Sequence, residues 1–410
     1  PSQFEKIRTR LLSGSFNYES GRIGISLSGY YRRLNDHFEL FREDNGVYQN
    51  IGGMFISATD TAPSWYTQHN NHRTDVKGSI LSIRYSTGVH TITVGGDLRR
   101  EEIISNVLGE PLDTPESVKG YDDTFYTNGT DRTETSIFVE EKISLPKWTI
   151  RGGLQFTFHS DYDERISPGL DIGYHITDDV TFFGNAGTSF RFPTFTDLYY
   201  NLGGAVGSID LKPETAFNYE VGVRAVHGDL TSQVSFFRRD AENLIDWIRY
   251  EGSNITQAAN ITEVTYTGMD FSTGYLIPNK KEKFFRVMYA GINYSFINTD
   301  TSSTGFESNY VLDHLNHKFS GIITVRFGES FYLNTTLIYQ DRKGGYIEPG
   351  MPEETPFGDN TLVDAKLSFN KPDYSIFISC TNLFSEEYVD IGNVEQPGAW
   401  LRAGVNLKLQ

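Results

Sequence analysis

The residues best suited to binding a ligand are concentrated between positions 191 and 200. Aromatic rings and one guanidinium group cluster there beside a proline, at Arg191, Phe192, Phe195, Tyr199 and Tyr200. Trp65 and Tyr66 form a second candidate of the same kind. Rings and a cation together suit a large, partly apolar ligand, which they contact by stacking and by cation–π attraction. The alternative is structural: Phe192 shapes the end of a strand, and the two tyrosines anchor a loop at an interface.

A run of carboxylates between positions 101 and 134 could hold a calcium ion. Ca²⁺ takes about six to eight oxygen ligands and can order a loop. The candidate ligands are Asp122, Asp123 and Asp131. No spacing in this segment matches an EF-hand, and acidic loops are usually only solvated. A calcium site and a solvated acidic loop therefore stay as alternatives.

Charge and missing motifs exclude several classes of function. The net charge of −17 argues against nucleic-acid binding, because phosphates need clustered Lys and Arg. The single cysteine, Cys380, cannot form an internal disulfide. The sequence contains no P-loop, GxSxG, HExxH or dinucleotide fingerprint. It therefore predicts a protein that is not an enzyme and has no resident cofactor besides the possible calcium.

Alternation of apolar and polar residues is the dominant pattern of the chain. In the segment 148–158, Ile150, Leu154 and Phe156 share one parity, and Arg151 and Gln155 share the other. Because side chains on a strand point alternately to opposite faces, each such segment has one apolar and one polar face. The absence of any apolar run of about 18 residues excludes helical membrane spans. The pattern predicts 17 strands, near 11–19, 22–34, 72–85, 88–100, 133–145, 147–160, 165–175, 178–190, 215–226, 229–240, 263–277, 283–297, 314–327, 330–340, 361–370, 373–382 and 398–409.

Short and long links alternate between these segments. The short ones include Ser86–Thr87, His227–Gly228 and Gly328–Glu329. The long ones lie around 35–71, 101–132, 191–214, 241–262, 298–313, 341–360 and 383–397. A membrane β-barrel has short turns on one side and long loops on the other, whereas a soluble sandwich gives no reason for this alternation. The sequence predicts an all-β protein, a transmembrane antiparallel β-barrel.

The first and last predicted strands run in the same direction. A closed antiparallel barrel needs an even number of strands, so an odd number is expected before Pro1. Residues 1–410 are therefore expected to be the C-terminal part of an incomplete barrel.

Two stretches resemble motifs of the TonB-dependent receptors. The first is Gly187-Thr-Ser-Phe-Arg-Phe-Pro-Thr-Phe-Thr-Asp-Leu-Tyr-Tyr200, followed by Asp210-Leu-Lys-Pro-Glu-Thr215. The second is Cys380-Thr-Asn-Leu-Phe-Ser-Glu-Glu-Tyr388, followed by Gln396-Pro-Gly-Ala-Trp-Leu-Arg402. The first stretch looks most like the cobalamin-type receptors. The chain departs from the family pattern by ending on Leu-Gln instead of an aromatic residue.

The resemblance implies a multi-pass barrel in the outer membrane of a Gram-negative bacterium that imports a scarce nutrient. It implies about 22 strands around a wide lumen, with some five strands and the plug domain upstream of this chain. The implied ligand is cobalamin or a related corrinoid. The implied partners are TonB, outer-membrane lipid and a possible surface lipoprotein.

Polar residues on the strands would then face the lumen and contact the plug or line the pathway. They are Arg151, Gln155, Asn185, Asn218, Glu220, Arg224, Arg326, Arg402 and Asn406. The alternative is that they only solvate a polar interior. Trp148, Trp247 and Trp400 are expected in the aromatic belt or the lumen.

Other functions stay open. A siderophore or metal-chelate receptor shares the barrel pattern, and a porin would have no gate. A soluble secreted β-protein, such as an adhesin or a carbohydrate-active enzyme, would bury the alternating apolar positions against a second sheet.

Overall fold

The computed structural model describes residues 3–43, 47–250, 252–278, 284–301, 305–308, 315–347, 354–390 and 394–408. Within these ranges one sheet contains four short segments, Glu110–Ser117, Asn201–Leu202, Ala205–Val206 and Phe306–Ser308, and 17 further strands. They are β1 (Phe4–Ser20), β2 (Ile23–Glu39), β3 (Asn70–Thr87), β4 (His90–Ser105), β5 (Phe125–Ser144), β6 (Trp148–His159), β7 (Arg165–His175), β8 (Val180–Arg191), β9 (Glu214–His227), β10 (Leu230–Tyr250), β11 (Thr256–Leu276), β12 (Phe285–Thr301), β13 (Leu315–Phe327), β14 (Phe331–Arg342), β15 (Asp359–Asn370), β16 (Tyr374–Thr381) and β17 (Trp400–Leu407). One short helix, α1 (Phe195–Tyr199), follows β8.

The strands form one antiparallel sheet in which each strand pairs with its neighbours in the chain. Strands β1 and β17 are its edges, and among the described residues the outer side of each has no strand partner. With an odd number of antiparallel strands, the two edge strands run in the same direction.

The predicted strand number and order are confirmed, but three predicted loops are shorter than expected. The segment 241–262 is not a loop, because β10 and β11 continue through most of it as a paired hairpin. Leu244, Ile248 and Ile261 are buried there and hold the two strands together. Strands β2 to β5 likewise extend beyond their predicted outer ends into the segments 35–71 and 101–132. The predicted loops 298–313, 341–360 and 383–397 lie partly outside the described residues.

The register places apolar side chains of neighbouring strands on one face. Leu27 of β2 lies opposite Leu81 of β3, and Ile137 of β5 lies opposite Phe156 of β6. All four are exposed, by 39–57%. Besides the large sheet, the described residues form only small two-stranded hairpins, so nothing in them covers this apolar face. The arrangement differs from a soluble sandwich, in which a second sheet would bury these side chains.

Small apolar clusters are found instead at the end of the sheet that carries the long loops. The loop 40–69 contains a hairpin of Gln49–Ile51 with Met54–Ile56 and encloses Tyr48, Phe55 and Tyr66. Among the described residues, no helix is both long and apolar enough to cross a membrane.

Candidate functional site

The segment from Arg191 to Tyr200 forms a tight corner between β8 and the loop that follows it. Thr194 caps helix α1: its hydroxyl accepts a hydrogen bond from the Asp197 backbone N–H at 3.1 Å. In return, the Asp197 carboxylate accepts from the Thr194 backbone N–H at 2.9 Å. This reciprocal capping box fixes the direction in which the chain leaves the strand. We name Arg191–Tyr200 the corner segment.

Arg191 is held by carboxylates of the protein itself. Its guanidinium donates two hydrogen bonds to Glu214 at the start of β9, at 2.8 and 2.5 Å. Glu214 is buried and also accepts from the Ile245 backbone N–H at 2.8 Å. Asp197 lies 3.6 Å from the same guanidinium. The pair of Arg191 and Glu214 therefore connects the end of β8, the start of β9 and the Ile245 backbone of β10. The positive charge of Arg191 is largely compensated.

The two phenylalanines of the corner segment are packed against other rings and cations. Phe192 is buried, with its ring centroid 4.2 Å from that of His159 and 5.4 Å from that of Tyr162. Phe195 is also buried, and the Arg132 guanidinium lies 4.5 Å from its ring centroid. Both phenylalanines thus pack within the corner, and their role toward a ligand stays a prediction.

Arg132 is a second compensated cation at this corner. It pairs with the buried Glu101 of β4 at 2.6 Å and donates to the carbonyl oxygen of Pro193 at 2.6 Å. Glu101 also pairs with Arg99. Together with Glu134, these residues line a cleft of about 330 Å³ beside Arg191 and Phe192. Its wall carries charges of both signs.

The aromatic surface of the corner combines Tyr199 and Tyr200 of the corner segment with Trp65 of the second candidate pair. Tyr199 and Tyr200 are half-buried, and the Tyr200 ring meets the Trp247 ring edge-on at a centroid distance of 6.2 Å. Trp65, 41% exposed, reaches over from the loop 40–69 and lies against Gly203. A Cβ at Gly203 would come within 2.7 Å of that indole, and the backbone φ of +63° at Gly203 also favours glycine. The structure therefore brings Trp65 to the chain just after Tyr200.

The sequence did not identify several residues of this site. Trp247, expected in the belt or the lumen, donates its indole N–H to Asp197 at 3.2 Å and so belongs to the corner. Arg132, Glu101 and Glu214 were not predicted as site residues either. The Thr194-x-x-Asp197 spacing is a capping-box pattern, so that part was readable from the sequence.

Tyr66 is a core residue of the loop 40–69. It is buried, and burial raises the pKa of its hydroxyl to about 12. The hydroxyl accepts a hydrogen bond from the Leu40 backbone N–H at 2.9 Å and lies 2.8 Å from Nδ1 of His69. Nε2 of His69 in turn lies 3.1 Å from a carboxylate oxygen of Glu43. Because the Glu43 carboxylate can only accept, neutral His69 donates to it through Nε2, and its Nδ1 therefore accepts from the Tyr66 hydroxyl.

Acidification is expected to loosen the loop 40–69. Burial lowers the pKa of His69, against the pull of Glu43 and Glu39. The open loop then binds more protons than the closed one, so the closed form loses stability as the pH falls below the ordinary histidine value of about 6.5. Limited proteolysis of the folded protein should cut within 47–69 faster at pH 5 than at pH 7.

The control for this prediction is His69→Gln, which cannot take up the proton. Its cleavage rates at the two pH values should differ less than those of the parent, since the change removes the ring of His69 and leaves Glu39, Glu43, His37 and Tyr66 in place. A cleavage rate in the parent that does not depend on pH would contradict the role of His69.

The predicted lumen-facing residues all lie on the face opposite the exposed apolar one. Several form cross-strand pairs there: Asn185 donates to Glu220 at 2.9 Å, and Asn218 donates to Ser189 at 3.1 Å. The others on this face are Arg151, Gln155, Arg224, Arg326, Arg402 and Asn406. Their contact with a plug or a pathway stays a prediction.

The acidic candidates for calcium do not gather in one place. Asp131 lies on β5 and pairs with Arg100 at 3.1 Å, whereas Asp122 and Asp123 lie in the turn that precedes β5. The described part of the chain contains no group of three or more His, Cys, Asp or Glu side chains placed to hold a metal ion. Calcium binding stays a prediction.

The chain is similar in sequence to a known protein family and to several of its curated relatives. Residues 2–383 match the family model described as TonB dependent receptor-like, beta-barrel. The vitamin B12 transporter of Photobacterium profundum is 23% identical over 313 residues, which are 73% of this chain and 48% of that protein. That of Vibrio vulnificus strain CMCP6 is 24% identical over 299 residues, 73% of this chain and 44% of that protein. The chain thus spans about half the length of the curated relatives it matches.

Solved structures have the same fold at low identity. A copper transporter, OprC, superimposes with a TM-score of 0.72 at 13% identity, covering 99% of this chain and 66% of that one. The siderophore receptor PirA from Acinetobacter baumannii gives a TM-score of 0.68 at 15% identity, over 98% of this chain and 62% of that one. A ferric enterobactin receptor mutant from Pseudomonas aeruginosa gives 0.69 at 14%, over 98% and 61%.

The described strands form one large antiparallel sheet that is apolar on one face and polar on the other. The links between its strands are short at one end and long at the other. These features define a β-barrel of the outer-membrane class. Within that class, the chain belongs to the TonB-dependent receptor β-barrel family.

Proposed function

We propose that this chain is the barrel portion of a Gram-negative outer-membrane receptor that imports a corrinoid in a TonB-dependent manner. In this proposal a plug domain and further strands belong to the same protein, and TonB acts through that plug. The curated relatives named above are vitamin B12 transporters, which supports the choice of ligand.

The observation that carries the proposal is the charge balance of the corner. Arg191 pairs with Glu214 and Asp197, and Arg132 pairs with Glu101. The side chains that this surface presents to a ligand are therefore aromatic. They are Trp65, Tyr199, Tyr200 and Trp247. A large ligand with little net charge and extended apolar edges suits such rings, because stacking does not require a free cation.

The second candidate is a receptor for a siderophore or another metal chelate. The likeness to a ferric enterobactin receptor, 27% identical over 127 residues, favours it. A ferric catecholate is strongly anionic, however, and its tight binding calls for uncompensated cations. The paired state of Arg191 and Arg132 therefore favours the corrinoid.

Truncating Trp65, which is exposed, together with Tyr200, which is half-buried, is expected to weaken uptake. Trp65→Ala combined with Tyr200→Ala should raise the concentration of cyanocobalamin needed for half-maximal uptake by about thirtyfold, since the two stacked rings contribute about 1 kcal/mol each. The measurement is uptake of labelled cyanocobalamin by cells that produce the full reading frame.

The matched control is Trp148→Ala, which removes an exposed ring at the short-turn end of β6. It should leave that concentration unchanged. Unaltered cyanocobalamin uptake in the double variant, together with impaired uptake of a ferric catecholate, would favour the second candidate instead.

A further inference from the structure

Three neighbouring strands bring polar side chains together at one level of the sheet, beside the corner segment. Glu134 of β5 is the register partner of Arg99 on β4 and of His159 on β6. His159 has the parity of Gln155, so the row lies on the face that is predicted to line the lumen. All three side chains line the cleft of about 330 Å³ next to Arg191. We name Glu134 and His159 the cleft pair.

The three arginines that line this cleft are paired with carboxylates of the protein itself. Arg99 and Arg132 both pair with Glu101. Arg191 pairs with Glu214. None of these three cations is therefore free to bind an anionic group.

Glu134 is a carboxylate of the cleft that has no such partner. Within the described ranges its side chain makes no hydrogen bond and no ion pair, although the two nearest arginines attract it. It is half-buried, so water reaches it only in part. Glu220, on the same face of the sheet, accepts a hydrogen bond from Asn185 at 2.9 Å. Because a partly buried acceptor without a donor is costly, Glu134 is suited to accept hydrogen bonds from a bound group.

His159 provides a donor next to this acceptor. Its side chain is 1% exposed, and its ring centroid lies 4.2 Å from that of Phe192 and 5.1 Å from that of Tyr162. Its Nδ1 accepts a hydrogen bond from the Asp161 backbone N–H at 3.0 Å. The proton of the ring therefore lies on Nε2, and Nε2 has no hydrogen-bond partner in the part of the chain that the structure describes. The cleft pair thus combines one unused donor with one unused acceptor.

We infer that the cleft pair binds a primary carboxamide group of the ligand. The carbonyl oxygen of that group accepts a hydrogen bond from Nε2 of His159, and its NH₂ group donates to the Glu134 carboxylate. The Cβ atoms of directly opposite residues on antiparallel strands are about 4.5–5.5 Å apart, so one small planar group can contact both side chains. A corrinoid carries such carboxamides around the rim of its ring. The inference rests on the proposed function and adds the chemical group that the cleft selects.

The same pair disfavours a carboxylate in place of the carboxamide. A carboxylate has no N–H to donate, and its charge has the same sign as that of Glu134. The arginines of the cleft do not offset this repulsion, because they are already paired. A binding site discriminates between two ligands through such unfavourable contacts as much as through favourable ones. The cleft pair therefore determines specificity.

The test is equilibrium binding of corrinoids to the purified protein of the full reading frame in detergent. The probes are cyanocobalamin and its singly hydrolysed forms, in each of which one carboxamide is replaced by a carboxylate. The parent should bind at least one hydrolysed form about tenfold more weakly than cyanocobalamin, because a charge-assisted hydrogen bond is lost and like charges meet. Glu134→Gln should bring that ratio close to one, since the glutamine amide can donate to the carboxylate. Binding of cyanocobalamin by this variant shows that it is folded.

The matched control is Glu140→Gln. Glu140 lies on the same face of β5 and pairs with Arg151 at 3.5 Å. The change removes the same charge and should keep the parent's ratio. His159→Phe, which keeps a ring against Phe192 and removes the donor, should weaken binding of cyanocobalamin about fivefold.

The outcomes separate the inference from the proposed function. Equal binding of all probes to the parent would overturn the inference, as would an unchanged ratio in Glu134→Gln. In both cases the parent still binds cyanocobalamin, so the proposed function stands. A parent that does not bind cyanocobalamin would contradict the proposed function, and the inference would fail with it.

Discussion

Leu27→Arg is expected to destabilise the folded protein in lipid by about 2–4 kcal/mol, the penalty for a cation on the lipid face of a barrel near mid-membrane. Leu27 is the central outward position of β2, between Ile25 and Gly29, and its side chain is 46% exposed. The guanidinium would have to enter hydrocarbon without a partner there. Urea unfolding in phospholipid vesicles, followed by tryptophan fluorescence, measures the change.

The control is the adjacent residue. Ser28 lies on the opposite face of β2, between Ser15 and Ile80. Ser28→Arg should therefore change the free energy of unfolding by less than about 1 kcal/mol, since a cation is tolerated on a wet face. If both variants unfold at the parent's urea concentration, the apolar face does not meet lipid and the membrane assignment fails.

Glu214→Ala is expected to cost about 2–4 kcal/mol and to release the corner segment. The change removes both hydrogen bonds to Arg191 and the acceptor for the Ile245 backbone N–H, leaving a buried donor unsatisfied. Arg191 is 45% exposed, so water replaces part of what it loses, and the cost stays below that of a fully buried pair. Hydrogen exchange should rise over 191–200 and 244–248.

An exposed ion pair provides the comparison. Glu19 pairs with Arg84 at 2.6 Å with both side chains largely in water. Glu19→Ala should change the stability by less than about 1 kcal/mol. If the two glutamate variants have equal stability, Glu214 does not hold the corner together.

The sequence by itself determined the strands and their faces. Period-two alternation depends only on the two-sided geometry of a strand. Arg151 and Gln155 could therefore be assigned to the face opposite that of Leu154 and Phe156 before any strand pairing was known. The alternation of short and long links also determined which strands are joined in hairpins, because it depends only on the local length of each link.

Only the tertiary structure decided what the chemistry-bearing residues do. Arg191 looked like a free cation because Glu214 lies 23 positions away in sequence, yet the register of β8 and β9 makes them partners. Trp65 and Gly203 belong to different loops and meet only when the sheet brings them together. The pairing of Asn185 with Glu220 likewise depends on the relative register of β8 and β9, which no single strand's pattern determines.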